Sequence, residues 1–195
     1  MPDQIFGFPM HAIPVPDSVA NGGDLVAEFE GLLTDGARKN IVEHGELVPV
    51  IGLLGRNMHP DAPDGYCVYV MMINDFMDSE QGKNLLSTML PQLAEKFGAF
   101  AFAMLCEAWT VDRSVSEAEA VRFTGRLKEH PDAIEVLSVM VETRQRNALR
   151  TYLIERDEAG EVTGLGADTS AGKGEPGPAQ GRFANILKPL PGGVN

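Results

Sequence analysis

The spacing of apolar residues along the chain predicts two long helices. Asp24 is placed to cap the start of the first helix, and Gly45 is placed to end it. Asp78 and Gln81 resemble a capping box at the start of the second helix. The stripes at helical spacing are Leu25, Phe29, Leu32, Leu33 and Ile41 in the first helix and Leu85, Leu86, Met89, Leu90, Leu93 and Phe97 in the second.

Alternating or continuously apolar runs predict the strands of one sheet. The predicted strands cover residues 47–56, 66–75, 99–109, 134–144 and 148–157, with a short last strand after the turn at 158–162. A short helix near Ser116 completes the order α-β-β-α-β-(α)-β-β-β, which predicts one α+β domain with a mixed, mostly antiparallel sheet. Because the second helix joins strands 66–75 and 99–109, we expect those two strands to be parallel neighbours with a right-handed crossover.

Proline and glycine divide the chain into three parts. Residues 1–23 are rich in proline and predict an extended arm, and residues 24–165 form the globular domain. Residues 166–195 are rich in glycine and proline and predict a flexible tail. Within this tail the segment RFANILKPLP, residues 182–191, is apolar enough to dock onto another surface.

The patterns of these elements also predict the core. We expect the inward face of each helix and strand to supply large apolar side chains. The predicted core residues are Phe29, Leu33, Val68, Val70, Leu86, Leu93, Phe102, Met104, Leu137, Val139 and Leu153.

Composition limits the classes of partner. The 195-residue chain is 44% hydrophobic and 23% charged, which is ordinary for a soluble globular protein. Its formal net charge of −12 repels phosphate backbones and anionic lipid, so we expect neither nucleic acid nor a membrane as partner. The first residues lack the pattern of a signal peptide, and the two cysteines, Cys67 and Cys106, lie in apolar strands. A cytoplasmic protein with buried, reduced thiols is the expected result.

The strand 99–109 carries the most unusual polar residues of the chain. Its odd-numbered face has small alanines that leave room for the second helix, and then Glu107 and the chain's one tryptophan, Trp109. If the neighbouring strand is parallel, its carboxyl end brings Asp75 and Asp78 to the same edge of the sheet. This corner could bind a divalent cation or supply a general base.

A structural interpretation of the same residues is preferred. Glu107 can pair with an arginine such as Arg113, Trp109 can plug the end of the sheet, and Asp78 can cap a helix. The histidines have no spacing typical of metal ligands, and the chain has no recognisable catalytic motif. We therefore predict no cofactor, with a divalent cation at the corner as the open possibility.

Arginines concentrate around the turn between the strands 134–144 and 148–157. Cross-strand pairs with Glu142, Glu155 and Asp157 are the ordinary explanation, and a small anion or an RNA loop is the minor alternative. The arginines are Arg144, Arg146, Arg150 and Arg156.

Two hypotheses of function remain open. The preferred one is a non-enzymatic interaction and assembly protein that forms homodimers, because two helices are few to cover both faces of an apolar sheet. In this hypothesis the arm or the tail crosses to the partner subunit or binds another protein. The alternative is a small metal-assisted hydrolase or ligand-binding enzyme that uses the corner at Asp75 and Glu107.

Overall fold

A computed structural model shows one eight-stranded sheet with helices on both faces. It describes residues 3–5, 8–15, 24–58, 65–111, 122–123, 126–145, 147–169, 182–183 and 186–187. The strands are β1 (Asp3–Ile5), β2 (Phe8–Pro14), β3 (Val50–Arg56), β4 (Tyr66–Met72), β5 (Ala101–Val111), β6 (Ala133–Thr143), β7 (Asn147–Arg156) and β8 (Val162–Asp168). The helices are α1 (Leu25–His44), α2 (Asn74–Met77) and α3 (Glu80–Lys96), with a 3-10 turn at Leu127–Glu129.

The strand order is β1-β2-β4-β3-β5-β6-β7-β8, and every described neighbouring pair is antiparallel. The predicted single-domain α+β class is therefore confirmed. The expected parallel pairing of β4 with β5 is wrong, because β3 lies between them: Ile51 pairs with both Met71 and Met104. The two strands do run in the same direction. After the β3–β4 hairpin, α3 carries the chain over β3 to its free edge.

The predicted arm and tail both contribute to the sheet. Two described parts of the arm, residues 3–5 and 8–14, are strands, and the second pairs with β4 from Met10 opposite Met71 to Pro14 opposite Cys67. At the other edge, β8 continues to Asp168, beyond the predicted start of the tail. The predicted short helix near Ser116 lies outside the described residues.

Helix α1 packs on the face of the sheet that carries the small residues. Gly52 lies opposite Ala103, and a Cβ at Gly52 would lie 2.6 Å from Leu33 Cδ1 and 3.0 Å from Phe29 Cε2. Ala101 is also buried in this layer. The expectation that the second helix covers the alanine face is wrong, because the bulky residues of α1 fit this hollow.

Helix α3 packs on the opposite face of the sheet. Phe102 and Met104 of β5 point toward it, which matches their predicted burial. The residues of α3 in this core are Leu86, Leu90, Leu93 and Ala94. Both faces of the central strands are therefore covered within one chain.

The ends of the helices follow local sequence signals. Asp24 accepts hydrogen bonds from the amides of Val26 and Ala27 at 3.0 and 3.2 Å, which confirms the predicted cap of α1. Gly45 ends α1 with a φ of 78°, a left-handed conformation that favours glycine. The second cap is Ser79 rather than Asp78: Ser79 Oγ accepts from the amide of Gly82 at 3.0 Å. Asp78 instead ends the short helix α2.

The predicted core is mostly correct, with two differences. Val70 is only half-buried, and Leu153 is 36% exposed. Leu153 shares a face of β7 with the exposed Leu149, on the α3 side of the sheet but with two strands between β7 and β3. No helix in the described ranges is long and apolar enough to cross a bilayer.

The contact of α1 with Gly52 gives a stability prediction. We expect Gly52→Val to destabilise the fold by about 1–3 kcal/mol, because the added methyl groups meet Phe29 and Leu33. The control is Gly36→Ala in helix α1, where an added Cβ meets nothing within 4 Å. Its expected effect is a gain of about 0.4–1 kcal/mol. Urea unfolding measures both, and a neutral Gly52→Val would contradict this packing.

Candidate functional site

Glu107 lies on the α1 face of β5 and holds the connection that follows α1. Its Oε1 accepts a hydrogen bond of 2.6 Å from the backbone amide of Leu47. Burial raises the pKa of the Glu107 carboxyl, with a smaller raising effect from the charge of Glu135; the bond from Leu47 and the charge of Arg156 act in the opposite direction. Glu107 therefore serves first as an anchor for the loop between α1 and β3.

Trp109 lies beside the ion pair between Arg156 and Glu135. It lies opposite Glu135 in the register of β5 and β6, and its side chain is 41% exposed. Arg156 binds Glu135 through two hydrogen bonds, Nε to Oε2 at 2.7 Å and Nη2 to Oε1 at 3.1 Å. Arg156 thus neutralises the acid nearest to Trp109, and the exposed ring only partly plugs the end of the sheet.

Asp75 and Asp78 lie elsewhere. Both are exposed at α2, whose buried residue Phe76 belongs to the core on the α3 side of the sheet. Asp75 accepts a hydrogen bond from Asn74 Nδ2 at 2.8 Å. The strand β3 separates β4 from β5. Through Val50, the carboxyl end of β4 is level with Leu105 rather than with the end of β5. The structure therefore places Asp75 and Glu107 on opposite faces of the sheet.

Few of the described side chains are suited to metal binding or to thiol chemistry. Within the described ranges there is no group of three or more His, Cys, Asp or Glu side chains that could hold a metal ion. Burial raises the pKa of the thiols of Cys67 and Cys106, and neither forms a disulfide. Raised pKa values keep these thiols protonated and unreactive at neutral pH.

The arginines near the β6–β7 turn separate into different environments. Arg150 forms ion pairs with Glu30 of α1 and with Asp168 of β8. Arg156 pairs with Glu135, and Arg146 lies outside the described residues. The predicted partner Glu142 binds none of the described members of this group; it accepts hydrogen bonds from the amides of Ile186 and Leu187.

Glu142 forms the most distinctive polar site of the fold. It lies on the α3 face of β6, in register between Phe102 of β5 and Asn147 of β7, and only 3% of the residue is exposed. Its Oε1 accepts from the amide of Leu187 at 2.8 Å, and its Oε2 accepts from the amide of Ile186 at 3.2 Å. A buried carboxylate is costly unless such bonds replace water. Glu142 is therefore built to hold a peptide backbone.

Apolar contacts complete the docking of this segment, which we call the C-terminal strap: the described residues 182–183 and 186–187. Ile186 and Leu187 are buried in the α3-side core, and Phe183 packs against it. Arg182 Nη2 lies 2.5 Å from Glu80 Oε2 at the start of α3, and this contact lowers the pKa of the Glu80 carboxyl. The described residues of the strap thus connect β6 to α3. They belong to the segment 182–191 that the sequence marks as apolar enough to dock.

Sequence reasoning found the strap but missed its binding site. The signal was a single glutamate at an inward-facing position of β6, on the same face as Met140. The arginines near the β6–β7 turn suggest a local partner for that charge, and the sequence contains no signal for a distant one. The bond joins residues 44 and 45 positions apart, and a local pattern does not reveal such a contact.

Comparison with known proteins gives no relative. No protein-family model, no curated protein and no solved structure matches this chain. Arguments about function therefore rest on the geometry of the chain itself.

The anchoring role of Glu107 predicts how two variants differ. Glu107→Ala leaves the buried amide of Leu47 without its acceptor, and we expect a loss of about 1–3 kcal/mol. Glu107→Gln keeps an oxygen acceptor and should cost less. Because the folded-state pKa of Glu107 is raised, its stabilising contribution is fully present below the ordinary glutamate pKa of about 4.3 and is lost as the pH rises through the raised value.

Urea unfolding from pH 4 to pH 8 tests this difference. The stability of the wild type relative to Glu107→Gln should fall across that window. A difference that is independent of pH would contradict the role of burial. Thermal unfolding with Mg²⁺, Mn²⁺ or Ca²⁺ is the control for the metal hypothesis: a metal-dependent stabilisation that Glu107→Gln abolishes would favour a cation site instead.

Proposed function

We propose that this chain is a non-enzymatic interaction and assembly protein that forms homodimers. In the dimer, each subunit places its C-terminal strap against Glu142 of the other subunit. The observation that carries this proposal is the buried Glu142 carboxylate, whose hydrogen bonds hold two successive backbone amides of the strap.

The chemistry of this contact supports exchange between copies. Glu142 binds backbone amides, and the pocket around it takes apolar side chains, so the strap of a second copy makes the same contacts. Exchange of an identical segment is a low-cost route to a dimer, because the bonds broken in one subunit form again in the other.

The sequence between the sheet and the strap supports the necessary reach. Residues 170–181, SAGKGEPGPAQG, join the end of the last strand to the strap. A chain of this length spans at most about 40 Å when fully extended. Its glycine and proline content is typical of a linker between independently placed segments.

Exposed leucines beside the strap site support contact between two subunits. Leu149 is 53% exposed and lies opposite Met140, two residues along β6 from Glu142. Leu153 follows on the same face of β7. A second subunit that donates its strap would lie close to these leucines and could cover them. The N-terminal arm is less suitable as a strap, because residues 8–14 pair with β4 of their own chain.

Light scattering on the full chain tests the proposal. We expect a concentration-dependent dimer of twice the 21.0 kDa chain mass. Glu142→Gln removes the acceptor of one strap amide in the closed monomer and in the exchanged dimer alike, so it should leave the dimer dissociation constant within about tenfold of the wild-type value. Glu158→Gln, at an exposed turn position, is the matched control. Point substitutions are used because deletion of residues 168–195 would remove part of the core.

A second variant separates assembly from loss of folding. Deleting six residues within 170–181 prevents the strap from reaching Glu142 of its own chain and should increase the dimer population. Adding six Gly and Ser residues there should favour the monomer. A wild type that stays at 21.0 kDa at high concentration would refute the dimer. A dimer that is insensitive to the linker length would refute exchange of the strap.

A further inference from the structure

A basic groove lies at the end of the sheet opposite Glu107. It has a volume of about 660 Å³, within the usual range for small-molecule sites. The groove is formed where β3 ends, β5 begins and α3 ends. Its lining includes Arg56, Tyr66, Lys96, Gly98, Phe100 and Arg144.

Two guanidinium groups in this groove have no acidic partner in the described part of the chain. Arg56 and Arg144 are both exposed, and neither side chain forms an ion pair or hydrogen bond there. Arg150, Arg156 and Arg182, by contrast, each bind a carboxylate. In a chain with 28 acidic and 16 basic residues, two arginines without such a partner in one groove are available to an anion.

The guanidinium groups of Arg56 and Arg144 do not cap the last carbonyl groups of α3. Its last carbonyl groups accept hydrogen bonds from backbone amides at 2.8 to 3.1 Å. These bonds run from Phe97 to Leu93, from Ala99 to Ala94, from Gly98 to Glu95 and from Arg56 to Phe97. The negative end of the helix is therefore satisfied by the backbone, and the guanidinium groups remain available.

Local backbone geometry positions Arg56 along the groove. Gly98 has a φ of 56°, which keeps the chain compact where α3 turns into β5. A Cβ at Gly98 would lie 3.7 Å from both Cγ and Cδ of Arg56. The aliphatic part of Arg56 thus lies along the space above Gly98.

An aromatic wall faces the same space. Tyr66 and Phe100 form an edge-to-face pair with ring centroids 5.4 Å apart and an interplanar angle of 77°. Behind them, Tyr69 and Phe97 stack with centroids 3.9 Å apart. The groove therefore combines two aromatic rings, set nearly perpendicular to each other, with two guanidinium groups.

We infer that this groove binds a small organic anion: a carboxylate or phosphate group attached to a flat ring. The guanidinium groups of Arg56 and Arg144 match the paired oxygens of either anion, and the ring packs against Tyr66 and Phe100. Lys96 and Glu95 also line the groove, and each has a contact of its own. This site is independent of the strap.

Amide chemical shifts of the full chain provide the test. Benzoate and phenyl phosphate are the charged probes, and benzamide is the neutral control of the same shape. We expect saturable shifts at Tyr66, Gly98 and Phe100 with a charged probe, and binding that weakens as salt is added. Arg56→Gln and Arg144→Gln should each weaken binding at least about tenfold. Arg126→Gln, whose side chain pairs with Glu129 outside the groove, is the matched control.

The outcomes assign or refute the site. Binding of benzoate alone assigns a carboxylate ligand, and binding of phenyl phosphate alone assigns a phosphate ligand. Absence of saturable shifts at about 10 mM of either probe would overturn the inference, since affinities weaker than this contribute only about 3 kcal/mol. Equal binding of benzamide, or unchanged binding in both arginine variants with native-like spectra, would overturn it as well.

Discussion

The position of β3 is the constraint on which the rest of the fold depends. It forms hydrogen bonds with β4 on one edge and β5 on the other, and its interior residues are buried on both faces. Leu53 and Leu54 point to opposite sides, and neither is exposed. A strand buried in this way requires cover on both faces, because its apolar side chains gain free energy only when both sides exclude water. The two long helices provide that cover.

Helices α1 and α3 cover their faces of the sheet to different extents, and the C-terminal strap adds to the cover on the α3 side. Helix α1 presses Phe29 and Leu33 into the hollow above Gly52, so its face is closed by close packing. Helix α3 lies over β3, β4 and β5, and the C-terminal strap extends this cover to Glu142 of β6. Beyond the strap, Leu149 remains exposed. The cover on this side of the sheet is therefore incomplete at β7.

Local signals predicted much of the fold but little of the candidate site. The cap at Asp24, the stop at Gly45 and the continuously apolar run of β4 depend on neighbouring residues, and each follows from the sequence. The insertion of β3 between β4 and β5 depends on which edge α3 reaches, so the corner with Asp75 does not form. Glu107 accepts a hydrogen bond from the amide of Leu47, and its suggested partner Arg113 lies outside the described residues.

Some basic and acidic side chains lie at opposite ends of the sheet. Arg56 and Arg144 lie at one end of the sheet, whereas Glu107 and Glu135 lie at the other. Composition alone describes an acidic protein and conceals this local basic groove. The three-dimensional arrangement brings Arg56 and Arg144 into one groove of an acidic protein, and the sequence positions alone do not reveal this.

The central claim is that Glu142 makes the strap part of the folded core. Amide hydrogen exchange of Ile186 and Leu187 in the full chain measures this directly, with the buried Phe102 amide as the internal reference. The account predicts that both strap amides exchange slowly, as the core does, and that Glu142→Gln accelerates them while Phe102 stays protected. Rapid exchange of Ile186 and Leu187 in the unmodified chain, beside a protected Phe102, would contradict it.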